Sequence, residues 1–392
     1  FQRQPIIFCN VLDLSTNKEA VTGEEIALSG KQAKLPFDAI LSSLVVKSAS
    51  SSESPLVKDT DYAAYYSDGS LIVETIEGGA AKDATKLFIS YDKVKTTEIG
   101  DDDIVKGIEA IDLCMATVSI TPDLIIAPGW SHTSTVQAVM AAKAEVINGI
   151  LGAKSICDID CSASGARSYD AVAAKKSATN LIDPAQIAAW PQVKLGNKQF
   201  HLSTQLAGLM AKVDSGNDGV PYESPSNKNL QCDSACLEDG TAITLTLEQA
   251  NILNANGICT ALRFMNGWVA WGDYTACYPS NTDIKDYYIP ISRMFKWVGN
   301  SLIKTFWSKT DSPMNRRLLD NIKDSANNWL AGLVGSEYLL GARVEILDSE
   351  NPMTDLMAGI VRIHIYMTPP SPAQEIDFIL EYDTDYVQSA LA

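Results

Sequence analysis

A histidine and a distant carboxylate could support hydrolysis in this sequence. His132 lies in a loop directly after an apolar, strand-like stretch, and active sites of α/β sheets lie at such strand ends. A hydrolase could pair it with a carboxylate such as Asp158. Such an enzyme would also need a nucleophile elbow of the Gly-x-Ser-x-Gly type, and the nearest candidate, Cys161–Gly165, does not match. The other histidines, His201 and His364, lie in strand-like segments and are expected to be structural.

Two further segments invite comparison with phosphate and calcium sites. Gly149–Ser155 contains two glycines and a lysine, but a phosphate-binding loop needs Gly directly before the Lys and a wider glycine spacing. Here Ala153 precedes Lys154, and we expect a helix end capped by Gly152. The run Asp101–Asp103 lacks the alternating ligands of a calcium loop and suits the positive end of a helix dipole. Neither site is therefore expected.

The eight cysteines are too sparse for a disulfide scaffold. Cys157 and Cys161, and likewise Cys232 and Cys236, are four residues apart, so the four thiols could ligate one Zn²⁺. Structural zinc sites commonly use tighter spacing, and a disulfide between Cys232 and Cys236 is an open alternative. Free, buried thiols in a reducing cytoplasm are the simplest interpretation. We therefore expect neither a metal nor a cofactor.

Composition limits the classes of partner. The 392 residues include 31 Lys and Arg against 48 Asp and Glu, which gives a formal net charge of −17. Proteins that bind nucleic acid or anionic membranes need a basic face, so neither partner is expected. With 46% hydrophobic and 20% charged residues the chain should fold. The sequence does not begin with Met, and we expect further residues upstream.

The hydrophobic pattern divides the chain after residue 19 into three predicted domains, which are residues 20–97, 98–280 and 281–392. Residues 1–19 are predicted to be an extended N-terminal arm, since they begin partly apolar and carry Pro5. Residues 20–97 combine short alternating runs with turn clusters, which predicts a small β-sandwich domain. Residues 98–280 alternate helices with short buried strands, which predicts a mostly parallel α/β sheet. The predicted helices of this part include Thr133–Leu151 and Tyr169–Asn180.

Residues 281–392 are predicted to form an α+β domain. An apolar stripe predicts a helix over Ile289–Trp307. Ser312 before Pro313 predicts the start of a second helix, which should end near Gly335. After this helix only strands are expected, namely Arg343–Leu347, Gly359–Met367 and Glu375–Tyr382.

Three strings in the second half of the chain are distinctive. They are the polar loop Gly219–Lys228, the aromatic-rich Gly267–Cys277 and the long string Glu350–Asp383. The last contains Glu-Asn-Pro, Asp-Leu, a glycine, an apolar strand, a proline-rich turn and a closing Glu-Ile-x-Phe strand. With the order of the predicted domains, these strings resemble the contractile tail sheath proteins of bacteriophages. The resemblance covers residues 98–392 well and residues 20–97 only by architecture.

The resemblance implies a fold and a function. It implies that the central domain is similar to subtilisin without its catalytic triad, so no enzyme is expected. It also implies a structural subunit that polymerises helically around a tail tube and contracts, in a phage or a related contractile particle. The implied partners are further copies of the chain, the tail tube protein, and baseplate and tail terminator proteins. The implied location is the virion tail, after assembly in the bacterial host cytoplasm.

The last predicted strand has one apolar face and follows the connector Pro369–Pro372. The prolines of this connector stiffen it and keep it extended. Such a strand could close its own sheet or add to a neighbour's sheet. The resemblance favours the second alternative, because sheath subunits are linked by terminal arms that exchange strands. The expected interface residues are the N-terminal Ile6, Ile7 and Phe8, the receiving Ile360, Val361, Ile363 and Ile365, and the C-terminal Ile376, Phe378, Leu380 and Tyr382.

Two functions from other classes stay open on the sequence alone. The first is an α/β hydrolase that uses His132. The second is a monomeric carbohydrate- or receptor-binding module that uses the aromatic-rich stretches. Loss of a measured hydrolytic activity on substitution of His132 would favour the first, and saturable glycan binding by a monomer would favour the second.

Overall fold

The computed structural model describes residues 5–13, 15–50, 54–265 and 267–391. By its internal contacts the chain divides into two compact units. Among the described residues, the smaller unit lies within 10–107, and the larger contains 108–391 together with 5–9. The further boundary expected at residue 280 stays a prediction.

The smaller unit contains six strands among its described residues. They are β1 (Lys18–Ala27), β2 (Gln32–Pro36), β3 (Val45–Lys47), β4 (Tyr62–Ser67), β5 (Ser70–Thr75) and β6 (Lys86–Val94). One antiparallel sheet has the order β1-β6-β3 and the other the order β2-β5-β4. Alternate residues of β5 and β6, such as Leu71, Val73, Leu87 and Ile89, are buried in one core. Since β1 begins at Lys18, the last residues of the predicted N-terminal arm belong to a strand.

The larger unit alternates helices with strands. After α1 (Asp101–Glu109), which spans the unit boundary, its helices are α2 (Cys114–Val118), α3 (Ser134–Glu145), α4 (Tyr169–Ala178), α5 (Leu202–Gly216), α6 (Leu247–Asn254), α7 (Ile284–Tyr287), α8 (Ile289–Phe306), α9 (Arg316–Gly335), α10 (Met353–Met357) and α11 (Thr384–Leu391). Its strands are β7 (Leu124–Ile126), β8 (Lys154–Asp158), β9 (Gln186–Ala189), β10 (Gln192–Leu195), β11 (Lys198–Phe200), β12 (Ser234–Cys236), β13 (Ala242–Ile243), β14 (Ile258–Phe264), β15 (Gly267–Trp271), β16 (Gly341–Glu345) and β17 (His364–Thr368). None of the described helices has the length and apolar character that a membrane crossing requires.

The central sheet of the larger unit has the strand order β15-β14-β9-β8-β7. Neighbours from β7 to β14 run parallel, and β15 joins as an antiparallel edge strand. Ile156 on β8 and Ile187 on β9 are fully buried, as expected for strands that helices cover on both faces. A second, antiparallel sheet has the order β11-β10-β12-β13. The mixed α/β class predicted for the chain is confirmed.

Two helix boundaries differ from the predictions by three residues or more. Helix α3 ends at Glu145 rather than Leu151, because Val146 takes an extended backbone conformation, and the left-handed φ angles of Asn148 (50°) and Gly149 (79°) then turn the chain. Gly152 is therefore not the helix cap. Helix α9 is capped by Asn315 instead of Ser312, and Asn315 Oδ1 accepts the backbone N–H of Leu318 at 2.9 Å.

The C-terminal part of the larger unit packs α8 and α9 against the pair β16–β17. Met294, Val298, Leu330 and Val344 are buried in this cluster. The expectation of strands alone after α9 is wrong, because α10 and α11 also occur there. The segment 375–382 is also not a strand within its own chain.

A buried lysine connects β8 to α8. Lys154 Nζ donates to the Pro184 carbonyl at 2.6 Å and to Ser292 Oγ at 2.5 Å. Burial, with the nearby charge of Lys296 as a second cause, lowers the pKa of Lys154 from 10.5 to about 7. Between these two values the unfolded chain holds a proton that the folded chain lacks, so stability should rise with pH.

We therefore expect the free energy of unfolding to gain up to about 1.4 kcal/mol per pH unit from Lys154 between about pH 7 and 10. In Lys154→Met this contribution should vanish, whereas Lys198→Met, on an exposed residue of β11, should keep it. Urea titrations followed by tryptophan fluorescence measure the effect, because all seven tryptophans lie in the larger unit. Parallel pH curves for the wild type and Lys154→Met would contradict the assignment.

Candidate assembly site

The pair β16–β17 has one covered edge and one open edge. Val344 on β16 donates its N–H to Asn327 Oδ1 at 2.9 Å, and the Asn327 amide reaches the Val344 carbonyl at 3.4 Å. The backbone groups of Val344 therefore point away from β17. Because Val344 lies opposite Ile365 in the antiparallel register, Ile365 must direct its backbone groups outward as well, and so must Met367.

The outward edge of β17 is available for another strand. Within the described ranges β17 pairs with β16 alone. On the inner face Ile365 and Met367 pack against the helix-lined core, so the strand is held in place while its edge stays unpaired. An ordered strand with unpaired N–H and C=O groups is a template for strand addition.

The receiving strand is shorter than predicted. It begins at His364 instead of Gly359, because the backbone N–H and C=O of Arg362 bond to the Asn351 side chain at 2.7 and 2.9 Å. Of the predicted receiving residues, Ile365 lies on the strand and Ile363 packs against the core just before it. Ile360 is 47% exposed in the turn after α10. Val361 is half-buried between them.

The C-terminal arm is the most apolar exposed segment of the described chain. We use "C-terminal arm" for residues 375–383, which form neither helix nor strand. Its apolar side chains are exposed to an unusual degree for their type, namely Ile376 70%, Phe378 85%, Ile379 93%, Leu380 94% and Tyr382 79%. The alternation of apolar residues that is typical of a strand is therefore present, but the segment pairs with no strand of the described chain. Helix α11, which the sequence analysis missed, follows directly.

The N-terminal arm is exposed as well. Residues 5–13 have no regular secondary structure. Ile6 is 67% exposed and Phe8 88%, whereas Ile7 is half-buried. Both arms thus present apolar side chains that a folded monomer would ordinarily bury.

The candidate hydrolase residues form a polar cluster with another histidine. Asp158, at the end of β8, accepts Ser203 Oγ at 2.5 Å, the Ser203 N–H at 2.9 Å and Ser131 Oγ at 3.2 Å. His201 Nδ1 lies 3.7 Å from the carboxylate. Burial raises the pKa of Asp158, and the serine hydrogen bonds oppose that shift. In the described structure His132 is not among its partners, so the pairing that the hydrolase alternative requires is not found there.

The cluster has the geometry of a structural support. Both serine hydroxyls donate to Asp158, which leaves neither of them activated by a histidine base. The carboxylate instead ties β8 to the start of α5 through Ser203 and to the loop after β7 through Ser131. No local pattern indicates this grouping, because its members lie up to 72 residues apart in the chain.

The cysteines are free thiols, so the disulfide considered between Cys232 and Cys236 is absent. Burial raises the pKa of the Cys232 thiol to about 11, which keeps it protonated and unreactive at neutral pH. In the described parts of the chain, no group of three or more His, Cys, Asp and Glu side chains could hold a metal ion.

No protein-family model matches the sequence. A tail sheath protein of Burkholderia phage BcepMu is 26% identical, in an alignment that covers 97% of this chain and 82% of the relative.

Solved structures with a similar fold come from contractile assemblies. A chain of the contracted PVC sheath complex, an extracellular contractile injection system, matches with a TM-score of 0.57 at 18% identity, over 73% of this chain and 82% of the other. A chain of the anti-feeding prophage baseplate gives 0.56 at 19% identity, over 71% and 73%. A chain of the contracted anti-feeding prophage helical sheath gives 0.55 at 20% identity, over 71% and 74%.

Proposed function

This chain belongs to the contractile tail sheath protein family, and from that premise we propose that it is the subunit of a helical sheath around a tail tube. The carrying observation is the C-terminal arm, whose alternating apolar residues have no sheet of their own. The pair β16–β17 of each copy is a small sheet with one open edge, to which strands from other copies could be added in succession. A contact in which an arm of one copy enters a different surface of the next makes an open helical filament.

We propose that both terminal arms take part. The C-terminal arm would enter the sheet of one neighbour, and residues around Ile6–Phe8 would add beside β17 of another. Strand addition uses main-chain hydrogen bonds, which hold subunits together while the chain beyond the strand reorients. A sheath must stay connected during contraction, so flexible links of this kind suit its task.

The finer fold assignments are proposals as well. Residues 20–97 would be a β-sandwich, which two antiparallel sheets with one shared core support. In the assembly this sandwich would protrude from the sheath. Residues 98–280 would be the subtilisin-like domain, which is supported by four parallel strands with helices between them. A catalytic triad would be missing, because Asp158 is engaged by two serine hydroxyls. Residues 281–392 would be the linking α+β domain.

We propose that the sheath works without enzymatic activity. Contraction would be driven by better burial and charge complementarity between subunits in the contracted lattice, starting from a kinetically trapped extended state. Further copies of the chain and baseplate proteins are the supported partners, since similar chains occur in sheath and baseplate assemblies. A tail tube protein and a tail terminator protein are the remaining proposed partners. The particle tail would be its location, after assembly in the host cytoplasm.

The proposal predicts hollow, striated tubes. Negative-stain electron microscopy of the concentrated full-length protein, alone and with fragments of tail tube, should show them. The Phe378→Asp, Leu380→Asp variant is the matched control, because both side chains are exposed and their change should leave the monomer folded. A wild-type protein that stays monomeric at every concentration, with and without tube, would contradict the proposal.

A further inference from the structure

Three sequence strings that are far apart in the chain meet at one buried carboxylate. Asp273 is 4% exposed. Its Oδ1 accepts the hydroxyl of Ser224 at 2.5 Å, and its Oδ2 accepts the side-chain amide of Gln374 at 2.9 Å. Tyr274 adds a hydrogen bond from its phenol to Gln374 Oε1 at 3.3 Å.

Each residue of this cluster comes from one of the distinctive strings. Ser224 belongs to the polar loop, Asp273 and Tyr274 to the aromatic-rich string, and Gln374 to the long C-terminal string. The polar loop is itself held in place, since Ser226 donates its N–H to Ser224 Oγ at 3.0 Å and accepts the Gly272 N–H at 3.1 Å. The carboxylate therefore sits in a fixed frame.

Gln374 is the residue directly before the C-terminal arm. Upstream, Pro369 is buried and Pro370 and Pro372 are half-buried, so the connector lies on the unit. Downstream, the side-chain hydrogen bonds found in the described residues 375–391 are local. The backbone N–H of Asp385 donates to the Asp383 carboxylate, and the Ser389 hydroxyl donates to the Tyr386 carbonyl. Gln374 is thus the last point at which a described side chain bonds to the body of the unit.

We propose that Gln374, Asp273 and Tyr274 form a latch that fixes where the C-terminal arm leaves its own subunit. Gln374 is then a positioning residue for strand addition, an inference that rests on the proposed function. If Gln374 swings away, a buried carboxylate oxygen loses its partner, and such a group is costly to leave unpaired. The bound state of the latch is therefore favoured while the arm beyond it stays free to turn.

The latch should weaken in acid. Burial raises the pKa of Asp273 to about 6, against the opposing effect of the hydrogen bonds from Ser224 and Gln374. The titratable groups around it are Cys259, Tyr274 and Tyr288, which are neutral at this pH. Once protonated, the carboxyl loses its negative charge, so its hydrogen bonds with Ser224 and Gln374 are no longer charge-assisted and become weaker.

Cleavage by a glutamate-specific protease tests the latch, because the arm carries one glutamate on each side of its apolar segment. Glu375 follows the latch directly, and Glu381 lies well beyond it. The ratio of cleavage after Glu375 to cleavage after Glu381 therefore reports latch opening and cancels changes in protease activity. In Gln374→Ala the ratio should rise roughly tenfold at neutral pH. Ser371→Ala, on an exposed neighbour, should leave it unchanged.

Two further comparisons complete the design. Free peptides that span residues 371–385, with Gln or Ala at position 374, correct for the changed sequence beside the cleavage site. In the wild type the ratio should rise between about pH 7.5 and pH 5, whereas in Gln374→Ala it should stay flat. A wild-type ratio equal to that of the free peptide would overturn the latch.

The test is run on monomers below the concentration at which tubes form. A protected Glu375 in a protein that never polymerises would support the latch and contradict the proposed function. Tubes formed by a protein whose Glu375 is not protected would support the proposed function and contradict the latch.

Discussion

Truncation after Gln374 should abolish tube formation while the monomer stays folded. The deletion removes the C-terminal arm and α11, which make no side-chain hydrogen bonds to the rest of the described chain. In a neighbour's sheet the arm would bury apolar side chains that are now exposed, such as Phe378 and Leu380. At about 1.5 kcal/mol or more for each side chain, three of them supply at least about 4 kcal/mol. Their loss raises the concentration needed for assembly roughly a thousandfold.

A second truncation separates the arm from the helix. A chain that ends at Asp383 keeps the full arm and lacks α11, so it should still form tubes if strand addition is the main contact. Sedimentation and electron microscopy at matched concentrations measure both truncations, and tryptophan fluorescence checks their folding. Tubes from the chain that ends at Gln374 would show that the arm does not link the subunits.

The arm also shows what a hydrophobic pattern can and cannot predict. The alternation of Ile376, Phe378, Leu380 and Tyr382 indicates a strand with one buried face, because only a sheet uses that period. The pattern does not say which chain supplies the sheet. Within one chain the segment is unpaired, so the strand predicted from the sequence is wrong there and stays a prediction for the assembly.

Elements with strong local signals were predicted well. The apolar stripe of Ile289–Trp307 matches α8, which ends one residue earlier, and the parallel central sheet follows from buried strands that alternate with helices. Helix ends are harder to predict from sequence, because several residues can serve as caps. Ser312 and Asn315 both suit an N-cap, and it is the Asn315 side chain that accepts a backbone N–H of the first turn.

Contacts between distant residues could not be predicted. His132 was the natural partner for Asp158 by its place after a strand, yet His201 and Ser203 at the start of α5 lie beside the carboxylate. In the same way, nothing in the sequence joins Gln374 to Asp273. Such pairs depend on how elements pack, and a single sequence carries no local trace of them.

Loss of the buried ion pair between α5 and α8 should strongly destabilise the larger unit. Arg293 donates from Nη1 to Asp214 Oδ1 at 3.0 Å and from Nη2 to Oδ2 at 2.5 Å, and the two residues are 6% and 8% exposed. In Arg293→Met the carboxylate would stay buried without its partner. We expect the free energy of unfolding to fall by about 3–5 kcal/mol.

The double variant Asp214→Leu, Arg293→Met distinguishes two causes of the expected instability of Arg293→Met, namely a buried carboxylate without its partner and the loss of side-chain packing. With no charge left to desolvate, it should recover most of the stability, to within about 1–2 kcal/mol of the wild type. The exposed pair of Arg316 and Asp320, 3.6 Å apart on α9, is the matched control, and Arg316→Met should cost at most about 0.5 kcal/mol. Urea unfolding followed by tryptophan fluorescence reports on this unit alone. If the double variant were as unstable as Arg293→Met, packing around Arg293 rather than its charge would hold α5 against α8, and the helices that support β16 and β17 would depend on shape instead of the ion pair.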